Sequence, residues 1–293
     1  MKDILQIVIV GLTSGGLYAL VAMAYNIIFA TTGILNFAQG QLLMAGTMVG
    51  VWFYGDQQWP LVLALVATMA VGAALAVVEE RIAIRPALKR GHGAMGWVLA
   101  TLGFGIVLQS GVSLLMGPTA RAFPRIIDES PYRLAGAVWN RQQLLLVVTA
   151  LLVGLFLFIF YNRTLFGRAL GAIAQDPEAA AIRGIPVVPM AAMSFAMSGA
   201  LIAATGFLAA PIIGASPAIG FDLALKGFIA AALGGIPHIK GAVFGGFVLG
   251  LIEALGADWI GPGYRTLVVF VVLILILAVR PAGVCGRMAV RRV

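Results

Sequence analysis

The chain has 293 residues, 61% of them hydrophobic and 10% charged, whereas soluble domains run about half apolar and about a quarter charged. That composition excludes a water-soluble globule. Several apolar runs, each long enough to cross a hydrocarbon core about 30 Å thick, also exclude a soluble protein on one anchor and leave an all-α polytopic helical membrane protein. The formal net charge of +8 sits mostly in arginines between the apolar runs, where it sets orientation and calls for no nucleic acid.

In chain order, Met1-Lys2-Asp3 precedes an apolar run with no small-residue cleavage site, so the N-terminus reads as a retained first span. Apolar stretches lie at 4–30, 34–54, 60–80, 95–116, 142–161, 187–210, 223–236, 241–258 and 264–280, which gives about eight or nine transmembrane segments, eight if one short pair is re-entrant. Three connectors are basic: Arg81, Arg85, Lys89 and Arg90; Arg163, Arg168 and Arg183; Arg280, Arg287, Arg291 and Arg292. The positive-inside rule places them in the cytoplasm. Parity then puts the 117–141 loop outside, although it carries Arg121, Arg125, Arg133 and Arg141 against Asp128 and Glu129. With every segment crossing, Met1 lies outside and Val293 in the cytoplasm. Cys285 is the single cysteine, so no internal disulfide forms. Glycines cluster inside the apolar runs, and the Gly246/Gly250 pair has the spacing that lets helix backbones approach in lipid.

The helical pattern breaks twice. Between Thr31 and Gln41, Asn36, Gln39 and Gln41 interrupt apolar sequence, and amides at that depth must find partners or line a wet cavity. The second break, Gly234-Gly235-Ile236-Pro237-His238-Ile239-Lys240-Gly241, frees backbone groups that lipid cannot satisfy. Interrupted segments in comparable positions of two halves point to a translocation pathway, which makes Asn36, Phe37, Gln39, Gly40, Gly234, Gly235 and Gly241 its candidate residues. The alternative for each break is a tight cytoplasmic turn, and His238 and Lys240 read as turn residues at the water interface. Glu79 and Glu80 read as interfacial partners of Arg81 or Arg85. Glu253 is either a functional intramembrane carboxylate or one that reaches water. No chain of Asp, Glu and His residues runs through the spans to support a proton relay.

The connector 162–186 carries its own helix signals. Asp176 is an N-cap, Pro177 occupies the first helical position, Glu178 faces the positive end of the dipole, and Gly184 lies past the end. Ala179, Ala180 and Ala181 form a small-residue face suited to docking in another protein's groove. The four lysines, Lys2, Lys89, Lys226 and Lys240, are followed by Asp, Arg, Gly and Gly, so no G-x-x-x-x-G-K-[ST] phosphate cradle is present. Two distant histidines and one cysteine make no usual zinc set, and no enzyme active site is legible.

Glu178-Ala179-Ala180, followed by Gly184-Ile185, resembles the EAA loop of ABC importer permeases, the coupling helix that seats in a cognate ATPase. Together with 164–185, 33–40 and the 234–246 region, it makes the chain similar to the permease family of branched-chain amino acid importers, in length the H-type (LivH-like) subunit. The chain departs from many relatives at Gln39-Gly40-Gln41, where they carry His and then Gly-Glu. The resemblance implies a single permease domain over 1–293, with Asp176, Glu178, Ala179, Ala180, Gly184 and Ile185 coupling it to cytoplasmic ABC ATPase subunits. Those subunits would bind ATP and Mg, leaving no cofactor in this chain. It further implies a second permease subunit, a paralogue or a copy, and a periplasmic amino-acid-binding protein meeting Ser216 to Asp222 and the 117–141 loop. The expected setting is the bacterial inner membrane, and the expected mechanism is ATP-coupled alternating access for branched-chain or other hydrophobic amino acids. Urea or short amides are the alternative cargo; a self-sufficient secondary transporter or channel and a membrane scaffold are the rival classes.

Overall fold

Long apolar sequence in lipid must satisfy every backbone group internally, and this chain does so as helices. The computed structural model describes residues 2–89, 93–127, 132–134, 137–280 and 282–286. Of the residues used for orientation, Met1, Arg90, Asp128, Glu129, Arg287, Arg291, Arg292 and Val293 lie outside these. The order is α1 (Lys2–Thr32), α2 (Gln39–Gly50) continuing as a π-helical turn (Val51–Asp56), α3 (Leu61–Glu79), a second π turn (Glu80–Ile84) and α4 (Arg85–Lys89). Next come α5 (Gly93–Met116), a small hairpin of β1 (Tyr132–Leu134) and β2 (Ala137–Trp139), α6 (Arg141–Arg163), α7 (Leu165–Gln175) and α8 (Pro177–Ile182). The chain continues through α9 (Val187–Ile213), α10 (Gly220–Gly234), α11 (Ile239–Trp259), a 3-10 turn (Pro262–Tyr264) and α12 (Arg265–Val279).

Each of the nine apolar stretches contains a helix, but only six helices among the described residues are long and apolar enough to cross a bilayer: 4–32, 61–89, 95–116, 141–163, 187–213 and 239–259. The other three are α2 with 12 residues and α10 and α12 with 15 each. At 1.5 Å per residue, 15 residues rise about 22 Å, short of the roughly 30 Å hydrocarbon core.

The chain packs as two units. One comprises Met1–Asn26, Ser130–Phe158 and Lys226–Val293; the other comprises Ile27–Glu129 and Ile159–Leu225. In the first unit, α1 and α11 meet backbone to backbone. A Cβ on Gly15 would lie 2.8 Å from Phe247 Cα, while Gly250 abuts the backbone of Gly11 and Gly15 and Gly246 abuts that of Ala19. The small-residue pair read from the sequence thus serves close helix packing. At the other end of α1, Gln6 Oε1 accepts from Val138 N of β2 at 3.0 Å.

In the second unit, α9 is the spine, with α3 and α2 packed along it. Gly72 of α3 opposes Gly199 and Ala203, and Gly206 opposes the backbone of Leu43 and Thr47. At one end, Met44, Met48, Val51, Phe123 and Phe207 form an apolar cluster in which Phe123 and Phe207 meet edge to face, centroids 5.1 Å apart. Beside it the start of the 117–129 segment is tied to the turn after α9: Arg121 N donates to Ala215 O at 2.7 Å, and Ala215 N to Arg121 O at 3.2 Å. Arg121 also pairs with Asp56 at 2.6 Å.

Candidate functional site

The first break lies in the second unit and is closed by polar side chains. Gly33 ends α1 with φ +67°, and residues 33–38 are non-helical before α2 begins. Asn36, fully buried, organises this stretch: Ala38 N donates to its Oδ1 at 2.8 Å, and its Nδ2 donates to Glu79 Oε2 at 2.8 Å and to Gln39 Oε1 at 3.4 Å. Gln39 Nε2 in turn donates to Ser198 Oγ at 2.5 Å, and Thr31 shares a 2.8 Å hydroxyl bond with Ser194. Phe37 stacks on Trp97 of α5 at 6.4 Å, and Gly40 packs so closely on the Gly220 carbonyl that a Cβ would overlap it. Asn36 and Gln39 thus find partners within the chain, whereas Gln41 donates its Nε2 to Gln109 Oε1 at 3.3 Å and its buried Oε1 has no partner among the described residues.

This arrangement corrects the sequence reading of Glu79. It is fully buried and pairs with neither Arg81 nor Arg85; Asn36 holds one carboxylate oxygen, and the other has no partner among the described residues. Glu80 alone forms the expected ion pair, a bidentate one with Arg85 at 2.9 and 3.0 Å. Successive helix residues point about 100° apart, so the two buried glutamates reach different partners.

Two helices, not one, fill the connector of this same unit. Thr164 caps α7 by accepting from Gly167 N at 2.9 Å; α7 turns Gly167, Leu170 and Ile173 inward. The sequence reading missed α7, although that cap and the i, i+3 apolar spacing mark it. Asp176 Oδ1 then accepts from Glu178 N at 3.0 Å and Ala179 N at 2.9 Å and starts α8 behind Pro177. The end of α8 is a Schellman motif: Ile185 N bonds Ala180 O at 3.0 Å, Gly184 N bonds Ala181 O at 2.9 Å, and Gly184 sits at φ +84°, where a side chain is strained. Glu178, Ala179 and Ala181 are exposed, and Ile182 is 87% exposed. Ala180 is 3% exposed, so it packs into its own chain and offers no docking surface, contrary to the sequence expectation.

The second break lies in the first unit and is a tight turn. Gly234 and Gly241 press against each other's carbonyls, His238 N donates to Gly235 O at 3.0 Å, and Gly235 adopts φ +94°. Asn26 of α1 donates to His238 O at 3.1 Å, while Val284 N and Cys285 N bond Leu233 O and Gly234 O at 2.8 and 3.0 Å. Lys240 lies over the Phe158 ring, 4.1 Å from its centroid. Deeper in that unit, Glu253 is buried and does not reach water: Lys226 Nζ pairs with its Oε1 at 3.0 Å and Tyr18 Oη donates to its Oε2 at 2.5 Å. Lys226 and Tyr18 were not singled out from the sequence; the signal was a lone cation and a lone anion in neighbouring apolar helices.

Comparison with known proteins fits this build. The family model described as "Branched-chain amino acid transport system / permease component" matches residues 7–277. The chain belongs to that permease family. The permease is 34% identical to the high-affinity branched-chain amino acid transport system permease protein BraD of Pseudomonas aeruginosa, over 99% of this chain and 98% of that one. It is also 34% identical to LivH of Escherichia coli K12, over 97% and 96% of the two chains, and 27% identical to the fructose import permease FrcC of Rhizobium meliloti, over 94% and 74%. Among solved structures, PsaBC from Streptococcus pneumoniae in complex with Fab superposes with a TM-score of 0.52 at 13% identity, covering 93% of the permease and 91% of that chain, a likeness of fold.

Proposed function

We propose that the permease is the membrane-spanning subunit of an ATP-driven importer of branched-chain or other hydrophobic amino acids, working with cytoplasmic ATPase subunits, a second permease subunit and a periplasmic amino-acid-binding protein. The observation that carries the reading is identity to BraD and LivH over nearly the whole of each chain. The capped helix α8 supports the ATPase contact, since a short helix held at both ends presents Ala179 and Ile182 without needing a partner to fold it. The connector and the tail lie in the cytoplasm of a bacterial cell, beneath the inner membrane.

Alternating access then follows from connectivity within the second unit. Closure of the ATPase dimer displaces α8, and α9 begins five residues after α8 ends. Ser194 and Ser198 of α9 hold Thr31 and Gln39, so a shift of α9 pulls on both sides of the break at 33–38. The amides of Asn36 and Gln39 trade their internal partners as the pathway opens. ATP and Mg act in the ATPase chains, and this chain supplies no catalytic residue.

Copurification of the tagged permease with its ATPase, followed by ATPase assays with leucine-loaded and urea-loaded binding protein, tests this. Stimulation by leucine is the expected result; stimulation by urea keeps the machine and changes the cargo. Ala179→Arg and Ile182→Arg should each lose the ATPase while the permease stays inserted. Retention of full leucine uptake in both variants would remove the docking role of α8.

A further inference from the structure

The first unit holds a cavity of about 270 Å³ formed by the start of α1, the end of α11 and the turn into α12. It is open to the outside: Asp258 and Arg265, both exposed, line it, and among the described residues neither side chain makes a hydrogen bond or ion pair with the other or with a third group. Opposite charges thus flank one concavity without neutralising each other. Gln6 adds an amide to the lining; its Oε1 accepts from Val138 N, and its Nε2 has no acceptor among the described residues. Ile7, Val10 and Pro262 make the rest of the wall apolar.

We propose that this cavity binds a small zwitterion with an apolar arm, the chemistry of a free hydrophobic α-amino acid. Arg265 and Gln6 Nε2 receive the carboxylate, Asp258 receives the ammonium, and the side chain lies against Ile7, Val10 and Pro262. An anion or a cation alone engages one of the two charged residues, whereas a zwitterion engages both. The inference rests on the amino-acid reading above and adds a position where cargo pauses; in the proposed orientation it faces outward. A phosphatidylethanolamine headgroup carries the same ammonium and oxyanion, so the experiment must separate the two sources.

The test uses the whole transporter in phosphatidylglycerol nanodiscs and measures equilibrium binding of leucine, leucinol, which lacks the carboxylate, and 4-methylpentanoate, which lacks the ammonium. Wild type should prefer leucine to either analogue by about tenfold, the order expected for one charge-assisted contact. Arg265→Gln should abolish the preference over leucinol and keep that over 4-methylpentanoate, and Asp258→Asn should do the reverse. Equal losses for all three probes, or unchanged preferences, would overturn the site. So would phosphatidylethanolamine that copurifies with wild type and is released by Asp258→Asn, if leucine does not bind in the phosphatidylglycerol discs. ATP-driven leucine uptake by the same preparation is scored separately: uptake without the charge-specific binding pattern rejects the cavity and keeps the importer, whereas the pattern without uptake keeps the cavity and rejects the importer reading.

Discussion

Lys226 and Glu253, both buried, meet at 3.0 Å between two apolar helices, and Tyr18 donates to the second carboxylate oxygen. Removing one member strands a buried charge at a cost of about 3–5 kcal/mol, whereas replacing both by apolar groups is often neutral. Lys226→Met should therefore lower the thermal transition of the detergent-solubilised permease, and adding Glu253→Met should restore most of it, as read by a melting curve of each variant. A single variant that melts like wild type would show that the pair does not hold this unit together. At the first break, Gln39→Leu leaves the Ser198 hydroxyl without its amide, and leucine uptake should fall while membrane insertion is retained. Asn36 and Gln39 were legible because an amide in apolar sequence stands out. Their partner Glu79 was not, because Arg81 and Arg85 nearby offered a local explanation that only the tertiary packing overrules.

Helix ends are local, which is why α8 could be read almost residue by residue: the Asp176 cap, Pro177 and Gly184 occupy the positions that sequence assigned them. Which face of α8 turns inward depends on packing, and so the burial of Ala180 was hidden. Loss of the cap in Asp176→Ala should destabilise α8 by about 1 kcal/mol, and Gly184→Val should strain its end by about 1–2 kcal/mol. Uptake should drop in both, and Asp176→Asn should recover it, since asparagine caps as well as aspartate. If alanine at 176 supports wild-type uptake and ATPase copurification, the cap has no part in coupling.

For the whole molecule, composition and hydropathy located every apolar stretch, yet α10 and α12, at 15 residues each, are too short to cross the hydrocarbon core, and α2 starts only at Gln39 because residues 33–38 leave the helix. Orientation can be checked with the protein's own single thiol. Cys285 is exposed and its backbone is bonded to Gly234, so its labelling reports the side of both the tail and the second break. A membrane-impermeant maleimide should modify it in inside-out vesicles and spare it in right-side-out ones; the opposite pattern would invert the topology. The Lys226–Glu253 pair also bears on biogenesis. A charge at the centre of a lone helix costs about 2.5–3.5 kcal/mol to insert, and α10, at 15 residues, has little apolar length to offset it. α11 is long and apolar enough to cross on its own, so insertion of α10 should depend on α11, whose Glu253 neutralises Lys226.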